Sequence, residues 1–252
     1  EISSCDWSSD VCSSDLPRFA GVKTFMRLPN VQTTENIDYA VVGVPFDTGV
    51  TYRPGQRFAP AAIREISSLV KPYNLPQNIN VVDELSGVDY GDVSVNPGYI
   101  LDTYDRMKEG LLPIVAAGAI PICLGGDHSI TLGELRAIAE VHGPVALVHF
   151  DSHFDTIDEY FGKKYNHGTV FRRALEEGLI DVGHSIQIGM RGTFYSIEDL
   201  TGSADLGFEV ITSFEMREIG IEETIRRIIG RVGEARAFLT FDIDFEIGRA
   251  HV

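Results

Sequence analysis

The sequence predicts an α/β fold built on a doubly wound, mainly parallel sheet, and three observations carry that expectation. Short apolar runs of strand length alternate with amphipathic stretches of helical period through the middle of the chain. Three of those runs stop where acidic or imidazole residues begin, and open α/β sheets bind ligands outside the carboxyl ends of their strands. At 252 residues with 44% hydrophobic content, the chain can bury one large core, so a single α/β domain is the default.

Asp38-Tyr39-Ala40-Val41-Val42-Gly43-Val44 reads as the first strand. Pro60 then opens a helix at its favoured early position, with Ile63, Ile66 and Val70 on one face. Asn80-Val81-Val82-Asp83 reads as a short strand, and a long helix is expected from about Pro97 to Ala117. The apolar stretch from Leu111 to Leu124 is broken by Pro113, Gly118 and Pro121. It is too short to span a bilayer and reads as a helix end, a turn and a strand. Val145-Ala146-Leu147-Val148 is a buried parallel strand by its uninterrupted apolar run. After it, His167 stands near the start of a helix whose Val170, Phe171, Ala174 and Leu175 face inward and which Gly178 closes. Ser185 to Met190 and Glu209 to Thr212 are further strands. Ile221, Ile225, Ile228 and Ile229 mark the last helix before the strand Ala237-Phe238-Leu239-Thr240.

The chemistry is concentrated at three strand ends. His149-Phe150-Asp151-Ser152-His153-Phe154-Asp155 puts potential ligands at alternate positions, which start out on one face of a strand. Five of the seven histidines lie between 128 and 167, a clustering that packing does not explain. Leu124-Gly125-Gly126-Asp127-His128-Ser129 follows the run Ile120-Pro121-Ile122-Cys123, and Phe241-Asp242-Ile243-Asp244 ends the last strand. Alone, an Asp-x-Asp at a strand end is usually a solvated turn or a helix cap, and a Gly-Gly-Asp-His is usually a tight turn. Together the three segments offer three imidazoles and five carboxylates, a set that suits Mn²⁺ better than a thiolate-preferring metal. A set this rich in carboxylates has room for two ions with bridging aspartates.

These motifs resemble those of the ureohydrolases, the family of arginase and agmatinase. The Gly-Gly-Asp-His, Asp-x-His-x-Asp and Asp-x-Asp segments stand at 125–128, 151–155 and 242–244, and the resemblance runs from about Phe25 to Phe245. Within the family the match is closest to agmatinase, through Thr24-Phe25-Met26-Arg27-Leu28-Pro29, Gly43-Val44-Pro45-Phe46-Asp47 and Arg53-Pro54-Gly55-Gln56-Arg57-Phe58-Ala59-Pro60. Asn166-His167-Gly168-Thr169 and Ile186-Gln187-Ile188-Gly189-Met190-Arg191 add to it.

The resemblance implies a three-layer α/β/α, arginase-like fold and a site with two Mn²⁺ ions per subunit. His128, Asp151, Asp155 and Asp242 would hold one ion, and Asp151, His153, Asp242 and Asp244 the other. It also implies attack of a metal-bridging hydroxide on a guanidinium carbon, with Asp155 accepting a hydrogen bond from that hydroxide and moving its proton. His167 would shuttle a proton to the departing amine, work for which an imidazole is suited. His149 has two open readings: it orients a ligand from behind, or it is a satisfied strand-end histidine.

Arginase holds its substrate's α-carboxylate partly through an asparagine two residues after the motif's last aspartate, and that position here is Ile157. Asp158 and Glu159 follow and are expected to favour a cation, so agmatine, cleaved to putrescine and urea, is the expected substrate. Lys163 and Lys164 lie in the same loop and keep 4-guanidinobutyrate open as the alternative. Two rivals of other classes remain. A zinc-dependent deacetylase would carry a tandem His-His pair, which this chain lacks. A catalytically silent metal-binding fragment or pseudoenzyme is the other.

The formal net charge of −16 argues against nucleic acid as a partner and is compatible with steering a cationic substrate. Cys5, Cys12 and Cys123 make no zinc or redox spacing, so a cytoplasmic enzyme without a disulfide framework is expected, with no membrane partner. The resemblance implies a homo-oligomer, a trimer or hexamer. Residues 1–16 repeat a Cys/Ser/Ser/Asp theme and read as a foreign-looking low-complexity segment, as does the tail at 246–252. The domain is therefore expected over 17–245. The family pattern continues past its Asp-x-Asp with an aspartate-proline, a glycine-rich loop and a glutamate that grips the guanidinium. The last β/α elements are accordingly expected to be missing.

Overall fold

The structure, a computed structural model, describes residues 16–193 and 196–246. The two foreign-looking ends expected from the sequence lie outside the described residues, except for Leu16 and Glu246. The described chain forms two compact units. One runs to Thr48 and resumes over Tyr52–Ile130; the other comprises Gly49–Thr51 and the chain from Thr131 onward.

In the first unit, β1 (Tyr39–Val44) is followed by α1 (Ala59–Ser67), a two-residue hairpin of β2 (Tyr73–Asn74) and β3 (Ile79–Asn80), and α2 (Val81–Glu84). β4 (Gly87–Asp92), α3 (Ile100–Ala116) and β5 (Ile120–Gly125) complete it. β1 lies between β4 and β5, parallel to both. That central place is why its run of Ala40, Val41, Val42 and Val44 is buried without alternation. The stretch after Leu111 folds as expected: α3 passes through Pro113, Gly118 turns the chain with φ of 83°, and β5 comes next.

Two expectations in this unit are corrected. Of the face expected on α1, Ile63 packs against the cluster of Leu28, Val41 and Leu124, whereas Ile66 and Val70 are exposed and Pro60, Arg64 and Ser67 are the buried residues. Arg64 takes the centre because it forks onto Asp89 of β4 at 2.8 and 2.9 Å and also bonds Asp92. A buried carboxylate needs such a partner more than the face needs another isoleucine. Val81 to Asp83, expected as strand, form one helical turn that the Leu85 N–H closes onto the Val81 carbonyl at 2.9 Å. With Val82 half exposed, little packing enforces the β preference of valine there.

The second unit contains α4 (Thr131–His142), β6 (Ala146–Phe150), α5 (Val170–Glu176), β7 (Ile186–Met190), α6 (Ile197–Asp205), β8 (Glu209–Thr212), α7 (Ser213–Val232) and β9 (Ala237–Phe241). Its sheet has the order β8-β7-β6-β9, and every pairing is parallel. Val148, Ile186, Ile188, Ile211 and Phe245 form a core cluster against which Phe150 and the α7 residues Met216, Ile219, Ile228 and Val232 pack. Of the four isoleucines expected to mark the inward stripe of α7, only Ile228 joins this cluster; Ile221, Ile225 and Ile229 are exposed. Gly220, at φ 79° and ψ 171°, breaks the helix and rephases its faces. Beyond the break the inward set is Thr224, Ile228 and Val232.

The register of β6 against β9 levels the two strand ends. Phe150 pairs with Phe241, so Asp151 and Asp242 are the first residues beyond the pairing on either side. Gly189 of β7, at φ 97°, lies under that end: a Cβ there would meet the Phe245 ring at 2.4 Å and the Asp151 carbonyl at 2.9 Å. Gly189→Ala is expected to cost on the order of 3 kcal/mol from backbone strain and overpacking. Gly178, at φ 68°, has nothing within 4 Å of a built Cβ. Its alanine variant should cost only about 1–2 kcal/mol. Thermal unfolding of both variants checks this; equal losses of melting temperature would contradict the close packing under the strand ends.

Candidate metal centre

β6 ends at Phe150, and the chain bends so that carboxylates are held by backbone amides. The Asp151 N–H donates to the Ile188 carbonyl at 3.1 Å, and Asp151 Oδ1 accepts from the His153 N–H at 2.7 Å. At the end of β9, the Asp242 N–H donates to the Phe150 carbonyl at 2.9 Å, and Asp242 Oδ1 accepts from the Asp244 N–H at 3.0 Å. The Ser152 N–H donates to Asp244 Oδ1 at 3.0 Å, joining the two strand ends. A three-residue spacing closed by main-chain donors therefore orients each carboxylate.

Asp151, His153 and Asp244 converge. His153 Nδ1 lies 3.3 Å from Asp151 Oδ1 and 3.0 Å from Asp244 Oδ2. In an octahedral shell with bonds of about 2.1 Å, neighbouring ligand atoms lie about 3.0 Å apart, so this trio has the span of three ligands to one cation. One imidazole with two carboxylates, and no thiolate, is a donor set for a divalent ion of the Mn²⁺ class. The fit of these residues to such an ion is good.

The other expected site residues surround this trio or stand apart from it. Asp155 is buried and adopts a left-handed backbone with φ of 52°, and its charge acts on His153. His149 is fully buried behind Asp151, with Nε2 at 2.9 Å from Asp151 Oδ2 and its ring 4.5 Å from that of Phe171. Of the two readings open for His149, the orienting one describes this contact. His128 belongs to the first unit, where it begins a 3₁₀ turn (His128–Ile130) directly after β5.

His167 begins a 3₁₀ turn whose cap, Asn166, bonds the Gly168 N–H while Thr169 bonds back to Asn166. Its N–H and its Nδ1 both face the Gly49 carbonyl, at 3.1 and 2.9 Å. A carbonyl only accepts, so Nδ1 carries the ring proton and Nε2 is the nitrogen left for exchange. Tyr160 stacks on the ring at 5.9 Å with the planes 8° apart. Gly168 has no room for a Cβ, which would stand 2.6 Å from Tyr160.

Asp158, expected to contact substrate, is about half exposed and bonds Arg173, a buried guanidinium that also meets Glu176 at 2.9 Å. Arg173 holds the Asp158 carboxyl below its usual range. Glu159, Lys163 and Lys164 are exposed. Two residues that sequence reasoning does not place in the site also shape it. Arg191 bonds the carbonyls of Asp244, Phe245 and Gly189, and its N–H bonds Ser152, tying the β9 end to β7. Gln187 is fully buried beside His149. Its signal in the sequence is one polar residue inside an apolar strand.

The electrostatics favour positive charge. Hydrogen bonds to Asp151 and then Asp244 outweigh desolvation and raise the His153 pKa to about 10. The folded value thus stands above the unfolded one of 6.5. The stability this gives the metal-free chain is fully present below about pH 6.5 and is lost as pH rises through about 10. The side chain is 67% exposed, so solvent screening keeps that contribution small. An NMR titration of the His153 ring in metal-free protein should have its midpoint near 10; a midpoint near 6.5 would contradict the carboxylate pairings.

Comparison with known proteins accords with this geometry. The arginase family model matches residues 37–246. A guanidinobutyrase from Pseudomonas aeruginosa is 42% identical over 234 residues, covering 92% of this chain and 73% of its own. The mitochondrial agmatinase of Gallus gallus is also 42% identical, over 227 residues, covering 90% of this chain and 67% of its own. The solved proclavaminate amidinohydrolase of Streptomyces clavuligerus superposes with a TM-score of 0.86 at 38% identity, covering 91% of this chain and 76% of that one. The fold, the strand-end motifs and these matches agree: the chain belongs to the arginase family.

Proposed function

We propose that this arginase-family hydrolase cleaves the guanidinium group of agmatine to putrescine and urea with two bound Mn²⁺ ions. The observation that carries the reading is the convergence of Asp151, His153 and Asp244 at the joined ends of β6 and β9. Asp151, His153, Asp242 and Asp244 would hold one ion. Asp151, Asp155 and Asp242 would hold the other, with His128 entering from the family motif alone. Bound cations lower the pKa of water, so that hydroxide is available near neutrality.

The chain's own groups handle the protons. Asp155 would accept a hydrogen bond from that hydroxide and then help move its proton. His167, with Nδ1 committed to the Gly49 carbonyl, delivers a proton from Nε2 to the departing amine as the C–N bond breaks. Tyr160, stacked on the ring, limits its rotation. Ile157 cannot hydrogen-bond an α-carboxylate, and exposed Glu159 favours a cationic tail, which supports agmatine over arginine.

One observation favours a second reading, 4-guanidinobutyrate. With Asp158 neutralised by Arg173, the loop offers Glu159 against Lys163 and Lys164, and a lysine ammonium suits a carboxylate tail. The relatives named agmatinase and guanidinobutyrase match equally well, so their names do not choose. Among the described residues no helix is long and apolar enough to cross a membrane. A cytoplasmic homo-oligomer, trimer or hexamer, completes the proposal on the strength of the family resemblance.

Urea release from agmatine, 4-guanidinobutyrate and arginine by the Mn²⁺-loaded full chain tests the substrate. Agmatine should be fastest; faster release from either of the others overturns that choice, and none from any of them overturns the activity. His167→Asn should lower kcat by about 10²–10⁴-fold while leaving Mn²⁺ affinity unchanged. Loss of metal in that variant would contradict the proton-transfer role.

A further inference from the structure

Gln187 sits in the middle of β7, fully buried, directly across from His149 of β6 in the strand register. Its amide Nε2 lies 2.8 Å from the Phe154 carbonyl and 3.0 Å from His149 Nδ1. A carbonyl oxygen only accepts, so the end of the amide facing Phe154 is the nitrogen. The second N–H of that nitrogen then points at His149 Nδ1, which must accept. An imidazole that accepts at Nδ1 carries its proton on Nε2, and Nε2 lies 2.9 Å from Asp151 Oδ2. Each step fixes the next without an ambiguous donor.

We infer that Gln187 is a positioning residue for Asp151: the Phe154 carbonyl sets its amide, the amide sets the His149 tautomer, and the Nε2–H of His149 holds Asp151 Oδ2. Oδ1 is left as the oxygen nearest His153 Nδ1, at 3.3 Å. The Phe171 ring, 4.5 Å from that of His149, packs against the imidazole and restricts its rotation. A partner behind a ligand orients it and tunes its basicity, and losing one typically costs 10–100-fold in metal affinity. Gln187→Leu removes the N–H donor at Nδ1 while filling a similar volume, so the ring loses the contact that fixes it behind Asp151.

The inference rests on the reading of Asp151 as a metal ligand, and the test separates the two. In the full chain, nitrogen NMR of the His149 ring reads the tautomer, and calorimetric titration with Mn²⁺ reads affinity. The wild type should show the proton on Nε2. Gln187→Leu should shift the Nδ1 resonance, as an acceptor that has lost its N–H donor, and weaken Mn²⁺ binding by about 10–100-fold. A wild-type ring protonated on Nδ1 alone overturns the inference even if the variant does not fold. So does a folded Gln187→Leu chain with unchanged Mn²⁺ affinity, provided Asp151→Asn weakens it. Unchanged affinity in Asp151→Asn as well overturns the metal reading, while the tautomer measurement still judges the hydrogen-bonded chain.

Discussion

Carboxylates gathered at the ends of β6 and β9 repel one another, and the second unit is arranged to hold them together. Asp151 is fully buried and Asp155 nearly so, with Asp242 and Asp244 partly buried beside them. A buried carboxylate is costly unless hydrogen bonds and opposite charge compensate it. Main-chain N–H groups of His153, Ser152 and Asp244 supply the first, and His149 and His153 stand where positive or donor groups are needed. In the proposed function, a divalent cation would satisfy the remaining negative charge. The same local excess of negative charge raises the His153 pKa and, in the proposed function, would attract the metal.

Rigid strands give that arrangement its precision. Parallel pairing of β6 with β9 brings two motifs about ninety residues apart to one level. Phe245 plugs the space beneath, edge-on to Phe150 at 5.3 Å and to Phe241 at 5.5 Å, over the missing side chain of Gly189. Arg191 then fastens the turn after β9 to β7. The strand-end carboxylates thus rest on apolar packing together with the hydrogen bonds of Arg191.

Much of this is legible in the sequence, for identifiable reasons. The strands announce themselves as apolar runs because parallel strands in the interior need no polar face, and three runs end in the ligand motifs. Helix faces are less legible. Arg64 takes a buried place on α1 beside Ile63, with Ile66 left exposed, because its carboxylate partners are on β4, and Gly220 rephases α7 in a way that periodicity alone does not register. Asp158 pairs naturally with its neighbour Glu159 as an acidic patch, while its true partner, Arg173, lies fifteen residues on. Gln187 and the Gly49 carbonyl act through contacts 38 and 118 residues apart in sequence, which no local pattern encodes.

All of this chemistry requires the strand-end carboxylates and His153 to be metal ligands. The most direct measurement is the number of Mn²⁺ ions bound per chain, by equilibrium dialysis with spin-resonance detection, in the wild type and in Asp244→Asn. Two ions per wild-type chain, magnetically coupled and reduced in number by the substitution, is the predicted result. Binding that is uncoupled and indifferent to Asp244 would contradict it, and would return the cluster to a solvated strand end.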